Sequence, residues 1–254
     1  MPVLLNDLTK QTFKDFEVIH VDGESEDKTV KKSAQFVDKL ALTIVSTSTR
    51  NVAFQRNLGG KKATGEWIIF MDADNQLPTY FLQGIKYRID RGEVIEREKF
   101  DVFTTLMTLN KKDAEDLTNK SVANFFNVCL KTAEKTEAPL AFGAMIGVRQ
   151  NCFKRAKFKE AIKVAEDNEF VRSCHKLGYK FRVLTNPNYA YSMRRMRANG
   201  LLRTATSGIL LNARYILNGD MSKGDFGYKM QGGEMYLDEE GMGEELEGES
   251  TNEV

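Results

Sequence analysis

Apolar residues fall in short runs separated by stretches where they recur every three or four positions, and the two patterns alternate along the chain. "PVLLNDLTK" (2–10) predicts a helix with Pro2 in its first turn, where a missing N–H costs nothing. "FEVIHV" (16–21) predicts a strand followed by the polar turn "DGESED". Residues 29–40 carry Val30, Ala34, Val37 and Leu40 on one helical face. "LTIVS" (42–46) predicts a strand, residues 51–64 a helix bearing Ala53, Phe54, Leu58 and Ala63, and "WIIFM" (67–71) a buried strand. A helix over 78–91, a strand over 101–109, a helix over 114–135 and a strand with its turn over 143–153 follow. A helix from about Asp167 that stops at Gly178 leads into the strand "YKFRVL" (179–184). Residues 200–219 are again amphipathic. Strands alternating with helices predict an α/β fold built on a mainly parallel sheet.

One boundary in this pattern stands out. The run Trp67–Met71 stops at two carboxylates one residue apart, Asp72 and Asp74, before "NQLP" turns the chain toward the next helix. Side chains two apart on an extended chain point the same way. Both carboxylates therefore reach one spot at a strand end, where open α/β sheets place ligands. Asp and Asn are also ordinary turn residues, so the pair by itself leaves a purely structural role open.

Composition adds three constraints. With 254 residues, 41% of them hydrophobic, the chain can bury a full core. Its net charge of +1 hides an asymmetry, because nine Asp and Glu and no Lys or Arg follow Lys229. Residues 1–229 thus hold 37 basic against 27 acidic residues, a net +10 that suits phosphate-bearing ligands or an anionic membrane face. Cys129, Cys152 and Cys174 form neither a zinc pattern nor a disulfide framework, and reduced thiols in a cytoplasmic protein are expected. No apolar run approaches a membrane span.

Four segments in fixed order carry a resemblance: "DFEVIHVDGESEDKTV" (15–30), "RNLGGKKATGEWIIFMDAD" (56–74), "AEDNEFVRSCHKLGYKF" (165–181) and "YSMRRMRANG" (191–200). Together they resemble the family 2 inverting glycosyltransferases with the GT-A fold, a Rossmann-like α/β architecture with flanking helices. The resemblance implies transfer of a sugar from a nucleotide-diphosphate sugar donor to a hydroxyl of a glycan, lipid or protein acceptor, with no nucleic-acid partner. It implies that Asp74 ligates Mg²⁺ or Mn²⁺, that Asp72 faces the ribose and metal side of the donor, and that Asp22 meets the nucleoside. Gly23 stands where the commoner family pattern has a second Asp, which bears on the nucleobase. Arg56 matches an Arg near the donor, Asp167 of the Glu166–Asp167 pair matches the general base, and Arg194 and Arg195 match an Arg pair suited to phosphate. Hard cations and carboxylate oxygens suit a departing diphosphate, and an inverting transfer needs a base on the acceptor hydroxyl.

For each of these residues a plainer role exists. Asp22 can form a turn, Arg56 can sit on an exposed helix face, Asp167 can cap its helix, and Arg194–Arg195 can be a solvated turn. Glu169 suits capping or support; Gly59 and Gly65 suit packing or a turn, and His20 and His175 suit structural roles. Two other functions compete: a sugar-1-phosphate nucleotidyltransferase, which would want a glycine- and Arg/Lys-rich loop after the first strand, and a non-catalytic nucleotide- or partner-binding descendant. In the family a first strand precedes the helix that residues 2–10 resemble, so the chain is expected to be an N-terminally shortened form. Residues 1–199 then form the transferase domain, 200–219 an amphipathic helix with a secondary option of peripheral membrane contact over 200–218, and 220–254 an acidic tail expected to be disordered.

Overall fold

A computed structural model describes residues 1–162 and 164–193. The elements run α1 (Pro2–Thr9), β1 (Val18–Asp22), α2 (Thr29–Ala34), β2 (Leu42–Ser46), α3 (Val52–Lys62), β3 (Trp67–Met71), α4 (Phe81–Val94), β4 (Val102–Leu109), α5 (Leu117–Ala133), β5 (Met145–Arg149), α6 (Gln150–Ala156), α7 (Glu166–Lys176) and β6 (Phe181–Tyr191). Local chemistry explains several of the boundaries. The Asn51 side chain accepts from Phe54 N and starts α3, and Asp116 accepts from Thr118 N to start α5. Three acidic residues open α7 and His175 and Lys176 close it, matching the helix dipole, and Gly178 (φ 86°) ends it as expected.

The α/β class and the flanking helices hold, and the strands form two sheets that combine parallel and antiparallel pairs. β1 and β2 form a two-stranded parallel sheet, and the other four strands form a second sheet in the order β3-β5-β4-β6. Here β5 runs antiparallel to both β3 and β4, whereas β4 and β6 are parallel. Helices tie the two sheets together. On one face Leu4, Leu5 and Leu8 of α1 share a core with Val18 and Leu42 of the small sheet and with Trp67 and Ile69 of β3. On the other face α3 lays Gly59 over Val21 of β1 while its Ala53 packs with Phe70 in the second core.

Three further differences from the sequence pattern have local causes. Helix α2 ends at Ala34, and the chain to Leu40 continues through tight i→i+3 turns such as Phe36 N to Ser33 O. The turn expected near 150 winds into α6. Strand β6 runs on from Leu184 to Tyr191 across Pro187, with its register against β4 shifting between Thr105 and Met107. Among the described residues no helix is long and apolar enough to cross a membrane.

Side chains alternate cleanly across β3: Trp67, Ile69 and Met71 face the first core, Ile68 and Phe70 the second. Beside Trp67, Phe103 lies fully buried over Gly147 of β5. A Cβ at Gly147 would lie 2.1 Å from two Phe103 ring carbons. Gly147→Ala is therefore expected to destabilise the fold by about 1–3 kcal/mol through overpacking. Adding Phe103→Leu should recover part of that loss, because the ring that must move is gone. Urea unfolding of parent, single and double variants checks this; equal midpoints for parent and Gly147→Ala would contradict it.

Candidate functional site

Three chain ends converge where β3, α3 and α7 meet. β3 delivers Asp72, whose backbone N–H donates to Ala144 O at 3.0 Å. Beyond it the turn closes with Asn75 N donating to Asp72 O, and the buried Asn75 side chain donates to Ala144 O. Gln76 and Ala190 exchange backbone hydrogen bonds, which pins the turn carrying Asp74 to β6. Among the described residues the buried Tyr189 hydroxyl has no hydrogen-bond partner. Burial first, then Tyr191, Asp72 and Asp74, hold its pKa well above the usual phenol range, which places both carboxylates within electrostatic reach of one hydroxyl.

Arg56 of α3 is the hub of the site. Its side chain is only 12% exposed. Nη1 donates to Glu166 Oε1 at 2.8 Å, and Nη2 donates to Gly143 O at 2.9 Å and to Asp72 Oδ1 at 3.4 Å. The guanidinium also lies 5.3 Å over the Phe158 ring. Sequence reasoning expected Arg56 near the donor; the structure commits both of its terminal nitrogens to protein oxygens, one of them on Asp72.

Asp167 lies on the other side of the same loop. Its Oδ2 accepts from Gly143 N at 2.6 Å and its Oδ1 from Asn168 N at 2.7 Å. A Cβ on Gly143 would sit 2.6 Å from Arg56 Nη2 and 3.1 Å from Asp167 Oδ2, so only glycine lets the base candidate and the arginine approach the loop together. The residue before α7, Ala165, takes a left-handed φ of 58°, a strain of about 1–2 kcal/mol that turns the Glu166–Asp167 pair into the site. Asp167 is half-buried. Burial, then the Glu166 carboxylate, push it up to about 7, against Arg56 and the two N–H donors, which pull it down.

Asp22 ends β1 and is 3% exposed. Its Oδ2 accepts from Ser25 N at 3.0 Å, so it does shape a turn, while Oδ1 is buried with no partner among the described residues. Gly23 next to it faces Gln55, the neighbour of Arg56 on α3. His20, on the same side of β1, is buried, and burial lowers its pKa while Asp22 opposes the shift. Glu169 is also buried and pairs with Lys159 and Ser173, as a supporting residue would. Arg194 and Arg195 lie outside the described residues, as do the 200–219 segment and the acidic tail. Beside the Asp74 turn a groove of about 460 Å³ opens between Asp7, Gln76, Pro78, Tyr80, Thr108 and Asn188.

Sequence reasoning missed Glu166 as the partner of Arg56, Gly143 as the shared loop, and Tyr189 beneath the paired carboxylates. Only Glu166 carried a signal, its place beside Asp167; the other two contacts join segments far apart in sequence.

Comparison with known proteins places this geometry in a family. A family model described as "Glycosyl transferase family 2" matches residues 1–187. Poly(ribitol-phosphate) beta-N-acetylglucosaminyltransferase TarS of Staphylococcus aureus is 26% identical over 197 residues, covering 76% of this chain and 33% of the relative. The chain thus spans about a third of that relative's length. Among solved structures, TarS 1–349 of Staphylococcus aureus in complex with UDP superposes with a TM-score of 0.55 at 24% identity, over 85% of this chain and 61% of that one. The mannosyltransferase PcManGT of Pyrobaculum calidifontis, in complex with GDP-Man and Mn2+, gives 0.60 at 20% identity, over 85% and 60%. These two likenesses show the fold.

The raised Asp167 has a consequence for stability. Folded Asp167 holds its proton up to about pH 7, whereas the unfolded residue releases it near 3.8. Between those values the folded state binds more protons, so stability falls as pH rises toward and through 7. Asp167→Asn removes the charge but keeps an acceptor for Gly143 N. It should raise stability at pH 8 by up to about 4 kcal/mol, with the gain vanishing near pH 4. Calorimetric melting at both values checks this; a gain independent of pH would contradict it.

Proposed function

The chain belongs to glycosyl transferase family 2, and on that premise we propose that it transfers a sugar from a nucleotide-diphosphate sugar to an acceptor hydroxyl with inversion at the anomeric carbon. The observation that carries this reading is the pairing of Asp167 and Asp72 through one arginine and one loop: a carboxylate poised to take a proton near neutral pH beside a carboxylate at a strand end.

In this reading the acceptor oxygen attacks the anomeric carbon from the face opposite the diphosphate. The new C–O bond forms as the bond to the leaving oxygen breaks, and that electron pair stays on the nucleotide diphosphate. The acceptor proton passes to an Asp167 carboxylate oxygen. A base with a pKa near 7 suits this step, because a large fraction is ionised near neutral pH and that fraction is still basic enough to accept the proton. Gly143 N and Asn168 N hold its two oxygens, so it is aimed before substrate arrives.

Asp74 and Asp72 would hold Mg²⁺ or Mn²⁺. Among the described residues no group of three or more His, Cys, Asp or Glu forms a cation cage. A cation bound through one or two carboxylates would have its remaining positions filled by donor phosphate oxygens. The shared influence of Asp72 and Asp74 on the Tyr189 hydroxyl supports their acting on one spot. A bound cation would neutralise charge on the departing diphosphate. The unpartnered Asp22 Oδ1 suits a hydrogen-bond donor on the nucleoside. UDP-sugars are the first donors to examine, given the UDP complex of TarS. The groove beside Tyr80, with its polar lining, suits a hydroxyl-rich acceptor. Such donors make the cytoplasm the natural place of action.

Two variants separate the roles. Asp74→Asn should lose Mn²⁺-dependent binding of a UDP-sugar in calorimetric titration while still unfolding in one cooperative transition, because Asn keeps the side chain's size and an acceptor oxygen. Unchanged titration would remove Asp74 from the metal site. Asp167→Asn should lower turnover by about 10²-fold or more and keep donor affinity, because it acts on the acceptor alone. Near-normal turnover would return Asp167 to a capping role, and donor binding without turnover by the parent would favour a non-catalytic descendant.

A further inference from the structure

Helix α5 buries one face and leaves the other bare. Asn119, Ala123, Leu130 and Ala133 turn inward, and Asn127 bonds both backbone groups of Met107 on β4. On the outer face Leu117, Ser121, Phe125, Val128 and Thr132 recur at three- and four-residue spacing, all exposed. Leu117 is 75% exposed, Phe125 44% and Val128 61%. No charge interrupts this stripe; Lys120 and Lys131 border it on one side. A bare apolar stripe along a 17-residue helix marks a packing surface.

The chain itself leads to that surface. Met193 N donates to the buried Asp113 carboxylate at 2.8 Å, and Asp113 opens the short 3-10 turn Asp113–Glu115 just ahead of α5. The chain therefore leaves the described structure beside the N-terminal end of α5. Beyond it lie a seven-residue connector, 194–200, and then the amphipathic stretch 201–217. Leu202, Ala205, Ile209, Ala213 and Ile216 in that stretch share a helical face, with Arg203 and Arg214 on its flanks.

We propose that residues 201–217 form a helix that packs its apolar face along the exposed stripe of α5. The lengths agree: at 1.5 Å per residue each 17-residue helix spans about 26 Å. The connector reaches up to about 25 Å when extended, enough to bring the segment to either end of α5. A tether this short gives an effective concentration in about the millimolar range, which favours this occupant over a second copy or a bilayer surface. The inference is independent of the proposed chemistry.

Amide hydrogen exchange of the full chain tests it. Phe125→Asp with Val128→Asp places two charges in the stripe at positions already exposed, so folding should be retained. The parent should protect 201–217, and this variant should exchange there at least about tenfold faster while β3–β5 are unchanged. Asn124→Asp, on the polar border, should behave as the parent. The reciprocal Ile209→Asp with Ile216→Asp should release the same segment. Equal exchange in parent and stripe variant, or no protection in the parent, overturns the proposal. So does protection that falls on dilution, which would assign the stripe to a second copy. Flotation of the parent with anionic phosphatidylserine vesicles that the stripe variant abolishes would also overturn it, in favour of a membrane surface.

Discussion

Arg56 is a buried cation that has to be satisfied, and the arrangement of the site follows from how it is satisfied. Its partners come from three different parts of the chain: Glu166 at the start of α7, the Gly143 carbonyl before β5, and Asp72 at the end of β3. Removing one partner from a buried pair typically costs about 3–5 kcal/mol, because the other charge remains out of water. Glu166, 7% exposed against 12% for Arg56, is the more buried of the two. The three elements are thus held in one relative placement before any ligand arrives, and Gly143 must lack a side chain for the placement to exist. Preorganisation of this kind serves a reaction whose charge develops only briefly.

The same helix has a second duty. α3 covers both sheets, touching β1 through Gly59 and the second core through Ala53, and α1 does likewise on the opposite face. Because, among the described residues, β1 pairs with β2 and β3 with β5 in separate sheets, these helices carry the connection that hydrogen bonds between sheets would otherwise supply. Asp22 and Asp72, on separate sheets, are therefore positioned relative to each other by side-chain packing along α3.

Much of this was legible in the sequence, and the limits are physical. The strands over 42–46, 67–71 and 101–109 and helices such as α1 and α3 stand within a residue or two of where hydrophobic periodicity puts them. Strand direction did not follow from periodicity, because alternation says which face is buried and nothing about which neighbour a strand meets. β5, placed antiparallel between β3 and β4, depends on how the loop from α5 returns. Asn186-Pro187-Asn188 has turn composition yet lies inside β6, since pairing with β4 absorbs it through a register shift. Asp72 and Asp74 could be singled out because paired carboxylates at a strand end are a local mark, and Asp167 because the Glu166–Asp167 pair matches a family pattern. The link from Arg56 to Glu166 crosses 110 residues and leaves no local mark.

The electrostatics divides the acidic groups by what surrounds them. Asp167 shares a water-poor corner with Glu166, and the single guanidinium between them cannot offset both charges, so Asp167 holds a proton to near neutrality. Asp72 and Asp74 lie instead on the turn after β3, within electrostatic reach of the buried Tyr189 phenol. The long 3.4 Å contact between Arg56 and Asp72 links that side of the site to the guanidinium. In the proposed reading a cation brought with a diphosphate meets the Asp74 turn, while the acceptor proton passes to Asp167. Environments that treat like carboxylates differently are how one site performs acid–base chemistry and charge stabilisation together. Arg56 lies at the border between the two environments and touches both. Any change in its length or charge would therefore be felt on the proton side and on the phosphate side at once.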